Sequence, residues 1–335
     1  MVLVTGGTGL VGSHILFNLT KAGKNVRATY RNKDKISLVK KVFSYYTEDP
    51  DSLLNKIEWV NCNINDIPTL QENFKNVEQV YHCAALISFD PRDRRRLFKI
   101  NIEGTTNIVN LSIENKVKKF CHISTIGTIG NSIDGSPVNE NTEFNSALAN
   151  LYATSKYKAE MEVWRGSQEG LKVIVTNPGF IIGPGFWDTG SGKTFSTIFK
   201  GLKFYPPGGT GFVNVTDVAK CSIDLMNSAI SNERYILVAE NLLYKEVFTN
   251  FAIALGKKPP QRLLKNWMLP ILWRLDWLKS FLTNSERLLS KKMAQTIGIT
   301  ILYNATKIEK DLGFKYEAVG NSIKSSAAIF LKENP

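Results

Sequence analysis

The run Tyr152-Ala-Thr-Ser-Lys156 sets a phenol and an ammonium four residues apart, hence on one face of a helix. Tyrosine normally titrates near ~10, and making it a base near neutrality takes about three units, roughly 4 kcal/mol of differential stabilisation of the phenolate. Positive charge beside the ring supplies such stabilisation, and Lys156 is spaced to provide it. The pair suits proton transfer to or from an oxygen of a small molecule.

A second group lies at the N-terminus. Thr5-Gly6-Gly7-Thr8-Gly9-Leu10-Val11-Gly12 follows the first apolar run directly and opens a helical pattern over Leu10–Ala22. Gly6 and Gly9 let the backbone turn tightly and approach a pyrophosphate, and Gly12 lets the helix lie close to the strand. The helix N-terminus adds free N–H donors and a favourable dipole. Which dinucleotide fits is decided at the end of the second strand, where an acid binds the ribose 2′-hydroxyl and a base accepts a 2′-phosphate. Val26–Tyr30 ends in Arg31, with Lys33 and Lys35 just beyond and Asp34 the first acid. NADP(H) is the favoured cofactor and NAD(H) the alternative.

These groups need a frame to hold them. Short apolar runs at Met1–Thr5, Asn25–Tyr30, Ile57–Val60, Gln79–Cys83, Lys119–Ile123 and Lys172–Thr176 read as strands, alternating with helical patterns near 10–22, 66–75, 93–115 and 151–168. Such alternation predicts an α/β fold, a doubly wound parallel sheet covered by helices on both faces. After Pro178, the turn clusters Gly183-Pro184-Gly185, Gly190-Ser191-Gly192 and Pro206-Pro207-Gly208-Gly209 punctuate short helical pieces. A smaller, discontinuous C-terminal substrate-binding domain is expected there, 179–210 with 241–335, against a cofactor-binding domain of 1–178 with 211–240. The chain is expected to return to the main sheet at Gly211–Val215 and Tyr235–Ala239.

Composition removes several classes. No apolar run of eighteen residues is free of charge or interruption, so no transmembrane segment is expected. The net charge of +12 is spread over many short basic stretches without interleaved aromatics, which fits a solvated surface attracting an anionic cofactor and argues against nucleic acid. Cys62, Cys83, Cys121 and Cys221 show neither disulfide nor metal-ligand spacing, so reduced thiols and no metal are expected. No basic leader precedes the first apolar run, and a cytoplasmic location is expected. The apolar stretch Trp267–Leu282 is interrupted by Arg274, Asp276 and Lys279; a helix over the cleft or on the core is the main expectation, peripheral membrane contact over 267–282 the lesser one. The assembly is expected to be a monomer or homodimer.

The glycine loop resembles the TGxxGxxG fingerprint of the extended short-chain dehydrogenase/reductase superfamily, the NAD-dependent epimerase/dehydratase family, which implies a Rossmann fold binding NAD or NADP. On that resemblance, Ser124-Thr125-Ile126-Gly127-Thr128-Ile129-Gly130 is the hydroxyl-bearing loop before YxxxK, with Thr125 as the catalytic hydroxyl and Ser124 its supporting, cofactor-contacting neighbour. The Thr125 hydroxyl would position the substrate oxygen, and Tyr152 would donate a proton to it during reduction or remove one during oxidation. Hydride would move to or from the nicotinamide C4, and an oxidised nicotinamide would add positive charge beside the phenol. Lys156 would also bind the nicotinamide ribose hydroxyls. Asn101 resembles the helix Asn that holds a water in the relay. Asn63-Ile64 stand where the family places an Asp and an aliphatic residue beside the adenine. Ala84-Ala85 end the strand Tyr81-His82-Cys83 where ribose and phosphates pass, with His82 expected to pack, and Pro178-Gly179 border the nicotinamide.

Nucleotide-sugar epimerases and dehydratases commonly carry an Arg just before the strand after the substrate segment, where this sequence has Thr210-Gly211-Phe212 instead, and lacking that cation forfeits ~1.5–3 kcal/mol of diphosphate binding. The strand Val26–Arg31 and the Pro-Pro-Gly-Gly segment look closer to the dihydroflavonol-4-reductase and 3β-hydroxysteroid-dehydrogenase-like group. That resemblance implies an NAD(P)-dependent oxidoreductase acting on the ketone, aldehyde or alcohol of a small, mostly apolar substrate, with Phe89, Phe180, Ile182, Phe186, Trp187 and Tyr205 as pocket candidates. The alternatives are an NAD-dependent nucleotide-sugar epimerase or dehydratase, and a non-catalytic dinucleotide-binding regulatory protein; the intact Thr125/Tyr152/Lys156 set counts against the last.

Overall fold

Val2–Thr5 is buried along its whole length, the environment of an interior strand in a sheet covered on both faces, and the computed structural model places it there. The structure describes residues 1–130, 135–283, 285, 287 and 289–334; the other positions of the two expected domains lie outside the described residues. Along the chain run β1 Val2–Thr5, β2 Val26–Tyr30, β3 Ile57–Asn61, β4 Gln79–His82, β5 Lys119–Ile123, β6 Val173–Pro178, β7 Phe180–Ile182, β8 Phe204–Tyr205, β9 Gly209–Asn214, β10 Glu233–Leu237, β11 Glu240–Leu243 and β12 Arg262–Leu263. One sheet takes the order β10-β6-β5-β4-β1-β2-β3 with every neighbouring pair parallel. This is a Rossmann doubly wound sheet. Strand order reverses at β1, which pairs with both β2 and β4, and the crevice beyond those strand ends is where this topology leaves room for a ligand.

The two-residue period of each strand divides the core. Val2, Val4, Ala28, Tyr81, Cys121 and Tyr235 pack with Ile15, Leu16, Val218 and Leu225, contributed by the helices Leu10–Lys21 and Val215–Asn227. On the other face Leu3, Val80, Phe120 and Val173 meet Ile108, Val109 and Val163 from the helices Gly104–Glu114 and Leu151–Gln168. Both layers close on apolar contacts worth roughly 1.5–3 kcal/mol per fully buried side chain, and they fix the helix of Tyr152 and Lys156 across β5 and β6.

The expected helix over 93–115 runs from Arg94 to Glu114 and contains one π-type turn, Lys99–Glu103, between Arg94–Phe98 and Gly104–Glu114. A Cβ on Gly104 would stand 2.4 Å from Ile64 Cδ1, so the helix approaches the β3 end as closely as a bare backbone permits.

The expected return of Gly211–Val215 to the main sheet does not occur. Instead, β9 lies between β7 and β11 in a separate three-stranded sheet, parallel to the first and antiparallel to the second. The reason is a close approach at the branch point. A Cβ on Gly179 would sit 2.4 Å from the Gly211 carbonyl oxygen, so the chain leaving β6 turns out of the main sheet directly onto β9. Tyr235–Leu237 behave as expected in β10, at the sheet edge beside β6, whereas the Ala239 N–H donates to the Phe212 carbonyl of the small sheet at 2.8 Å. Around the small sheet, Ile182 and Phe212 pack with Phe195, Phe251 and Phe330 in a third apolar cluster. No helix among the described residues is long and apolar enough to cross a membrane.

Candidate active site

The floor of the crevice at β1 is backbone. Gly6 adopts φ +69°, in the left-handed region, and a Cβ on it would lie 2.6 Å from the Ala84 N; a Cβ on Gly12 would lie 2.2 Å from the Gly6 carbonyl oxygen. Gly9 caps the helix Leu10–Lys21 without a side-chain bond, and its first turn, with Leu10 and Val11, carries no acid. Free N–H groups and the positive end of the dipole are thus kept for an anion. A cavity of about 180 Å³ opens here, and its lining brings together Gly6, Thr8, Gly9, Arg31, Asn63, Ile64, Ala84 and Ala85. Arg31 and Lys35 are exposed at its edge, and among the described residues no carboxylate enters the lining. These residues fit the diphosphate and adenosine ribose of a dinucleotide.

Thr5 is placed otherwise than as a cleft side chain. Its hydroxyl lies 2.7 Å from His82 Nδ1, while His82 Nε2 lies 2.9 Å from the Thr105 hydroxyl, which itself donates to the Asn101 carbonyl at 2.6 Å. Thr105 therefore accepts from His82 Nε2–H, and Thr5 donates to Nδ1. Burial drops the His82 pKa to about 3, so the ring is a neutral structural link, packed as the sequence suggests.

The other end of the crevice is made of side chains. Asn150 starts the helix Leu151–Gln168 by accepting the Ala153 N–H at 2.8 Å, which sets Tyr152 and Lys156 beside the end of β5. Tyr152 is half-buried with its ring edge-on to Phe89 at 5.7 Å. Lys156 is buried; its Nζ donates to the Ile123 carbonyl at 2.8 Å and lies 3.1 Å from His122 Nε2. Burial lowers the ammonium to about 8. Burial pushes the Tyr152 phenol up to about 12, and the Lys156 ammonium, spaced in the sequence to lower it, bonds instead to the β5 backbone.

The two neighbouring hydroxyls diverge. Ser124 is buried and donates to Glu160 at 2.6 Å, whereas Thr125 is half-buried and its Oγ1 accepts the Gly127 N–H at 3.2 Å. Asn101, on the π-type turn, uses its whole carboxamide: Oδ1 accepts from Leu86 N–H at 2.7 Å, and Nδ2 donates to the Leu86 carbonyl at 3.0 Å and to Ser155 Oγ at 2.9 Å. It clamps the Ala84–Leu86 segment to the Tyr152 helix. Pro178 is buried opposite Leu237 at the end of β6, and Gly179 donates to the Leu237 carbonyl at 3.0 Å. Of the six pocket candidates, Phe180, Ile182 and Trp187 belong to the third core cluster, and the Trp187 indole donates to Glu333 at 2.6 Å; Phe89 is the one that meets Tyr152.

A group absent from the sequence reading anchors this end. Glu160 is fully buried and accepts from Ser124, from Thr128 at 2.8 Å, from Asn177 Nδ2 at 3.1 Å and from the Trp164 indole at 3.3 Å, and it pairs with the Arg234 guanidinium. One signal was available, since Tyr152, Lys156 and Glu160 recur every fourth residue on one helix face. The convergence of residues from β5, β6 and β10 on that face has no local signature.

The parallel sheet reversing at β1, the bare-backbone cradle at its end and the Tyr/Lys helix beside β5 define a Rossmann-fold protein of the dehydrogenase/reductase kind. The chain belongs to the NAD dependent epimerase/dehydratase family, whose model matches residues 2–236. It is 27% identical over 341 residues to a putative dihydroflavonol 4-reductase of Synechocystis, covering 98% of this chain and 93% of the relative. It is 28% identical over 243 residues to sterol demethylase protein B of Methylococcus capsulatus, covering 71% and 70%. The fold is shared along the whole chain with UDP-glucose 4-epimerase of Thermotoga maritima, solved with UDP-glucose, at a TM-score of 0.78 and 20% identity over 100% and 99% of the two chains.

Proposed function

We propose that the protein is an NADP(H)-linked reductase of a ketone or aldehyde on a small, mostly apolar compound. The observation that carries this reading is the Tyr152/Lys156 helix lying beside the end of β5, where Thr125 keeps its hydroxyl out of the buried network that takes Ser124. A phenol is protonated at neutral pH and can donate to a carbonyl oxygen as it is reduced. Thr125 would hold the substrate oxygen and Tyr152 would protonate it. When bound, the dinucleotide supplies the hydride from its nicotinamide C4.

Gly6, Gly9 and the first helical turn with Leu10 and Val11 would hold the diphosphate, Asn63 and Ile64 the adenine side, Ala84 and Ala85 the ribose passage, and Pro178 and Gly179 the nicotinamide border. Arg31, with Lys35, would take the 2′-phosphate. Asn101 acts here through Leu86 and Ser155, and Lys156 would exchange part of its inward bonding for the nicotinamide ribose. The residues 179–210 with 241–335 would cover the substrate. Two relatives whose names speak of a dihydroflavonol and a sterol support an apolar compound.

The test is consumption of NADPH with a panel of apolar ketones and aldehydes. Tyr152→Phe is expected to lower turnover at least ~100-fold while leaving NADPH affinity unchanged. Undiminished turnover in that variant removes the mechanism, and retained NAD with no net absorbance change during turnover of a nucleotide sugar replaces reductase by epimerase.

A further inference from the structure

The helix Leu269–Thr283 is apolar on both its inner and its outer side, whereas an ordinary surface helix turns a single apolar stripe inward. Ile271, Leu275, Leu278 and Leu282 recur at helical spacing on one face and all are exposed, Leu282 at 72%. Trp277 and Phe281 stack at 5.8 Å on the side of the helix beyond Arg274, Phe281 also 72% exposed, and Trp267 at the helix entrance is 65% exposed. The protein side takes the buried Leu269 with the half-buried Leu272 and Trp273, and two polar groups: Ser280 is buried and donates to the Ser285 carbonyl at 2.6 Å, and Asp276 accepts the Leu289 N–H at 3.1 Å. A contiguous exposed apolar face of this kind marks an interaction surface.

Charge says what the surface meets. On and beside the helix Arg274, Lys279, Lys291 and Lys292 are exposed, and Asp276 is turned to the Leu289 N–H. Arg274 and Lys279 lie on opposite flanks of the apolar stripe by helical spacing, and Arg274 and Lys291 both line a cavity of about 390 Å³ between this helix and Lys291–Thr296. A second copy of the chain would bring two such basic surfaces together, so self-association on this face is opposed by like charge. The helix is too short to span a bilayer, and an exposed apolar face flanked by cations is the arrangement of a helix lying in the plane of an anionic membrane surface.

We propose that Leu269–Thr283, with the turn at Asn266–Met268, docks the protein on anionic bilayers. The surface is coupled to the crevice. Arg92 donates to the Ser285 carbonyl at 2.7 Å and the Arg287 N–H donates to Asp90 at 3.2 Å, tying the end of the helix to the loop whose Phe89 meets Tyr152. Docking goes beyond the reaction proposed above and stands without it.

The experiment is flotation of the full chain with phosphatidylcholine vesicles, alone or mixed with phosphatidylserine. Flotation is expected with the mixed vesicles and at least ~10-fold weaker partitioning with phosphatidylcholine alone or in high salt. Phe281→Glu with Leu282→Glu is expected to lower partitioning to the mixed vesicles at least ~10-fold with an unchanged melting curve, and Arg274→Gln with Lys279→Gln to weaken it by a smaller factor. No flotation, or flotation indifferent to lipid charge or to these substitutions, overturns the proposal. A dimer seen by light scattering and abolished by the same double glutamate variant overturns it too, by assigning the face to a second copy.

Discussion

The two ends of the crevice are built from different material. At Gly6–Gly12 the surface is main chain, shaped by missing Cβ atoms and held by the sheet and helix it joins. At Tyr152 it is a set of side chains, each fixed by others behind it: Lys156 by Ile123 and His122, Ser124 by Glu160, Asn101 by Leu86 and Ser155. A backbone cradle needs no partner but tolerates no added atom. A side-chain site tolerates small additions at its edge and fails when a distant anchor is removed.

The sharpest way to break this contrast is from behind. Glu160→Ala would leave the Arg234 guanidinium, Asn177 and the hydroxyls of Ser124 and Thr128 without their shared acceptor in a buried position. The expected loss is about 3–5 kcal/mol in denaturant unfolding, with turnover of the surviving folded fraction falling more than its dinucleotide affinity. Glu160→Gln keeps an acceptor for the hydroxyls and should lose less. An alanine variant as stable as the parent would show that this network carries no weight.

Acid tests the link between the two ends, because His82 joins Thr5 of the cradle to Thr105 and the Asn101 turn. Burial lowers His82 to about 3 and His14 to about 4 in the folded protein. The unfolded chain therefore binds protons first, and stability present above about pH 6.5 is lost as pH falls toward those values. Each group accounts for roughly 2–3 kcal/mol by about pH 4.5. The expected result is a melting temperature that declines through this window and recovers in part in His14→Gln; a flat profile contradicts it.

At the cradle the effect is smaller and confined. Gly12→Ala puts a Cβ 2.2 Å from the Gly6 carbonyl, main chain that cannot swing aside, and should cost about 1–3 kcal/mol. Dinucleotide affinity, read by titration calorimetry, is expected to fall at least ~10-fold. An alanine variant that binds as tightly as the parent would mean the helix has room the geometry denies.

What could be read from the sequence follows the same division. The main-sheet strands and the glycine loop were legible because their signals are local: period-2 apolar runs, and glycines at fixed offsets after a strand. Gly211–Val215 reads as a main-sheet strand because its partners in the small sheet, β7 and β11, and the close approach of Gly179 to Gly211 thirty-two positions away have no local signature. Phe180, Ile182 and Trp187 looked like pocket lining since an apolar side chain reads the same in a cleft and in a core. Glu160 escaped because a glutamate on a helix is usually solvated, and nothing near it in sequence announces Arg234. The inward bonding of Lys156 and Ser124 depends on which neighbour wins a hydrogen bond, which spacing does not decide.

The smallest expected effect concerns the outermost part of the cradle. Arg31 and Lys35 border the cavity but are exposed, so water and salt screen whatever they bind. An exposed pairing is worth about 1 kcal/mol at most, and Arg31→Ala should raise the Kd for NADP by roughly 5-fold while leaving that for NAD unchanged. The difference should shrink at high ionic strength, because the contact is Coulombic. An equal loss for both dinucleotides would assign Arg31 to the diphosphate or adenine, and a parent protein that binds NAD at least as tightly as NADP would remove the 2′-phosphate from this edge altogether.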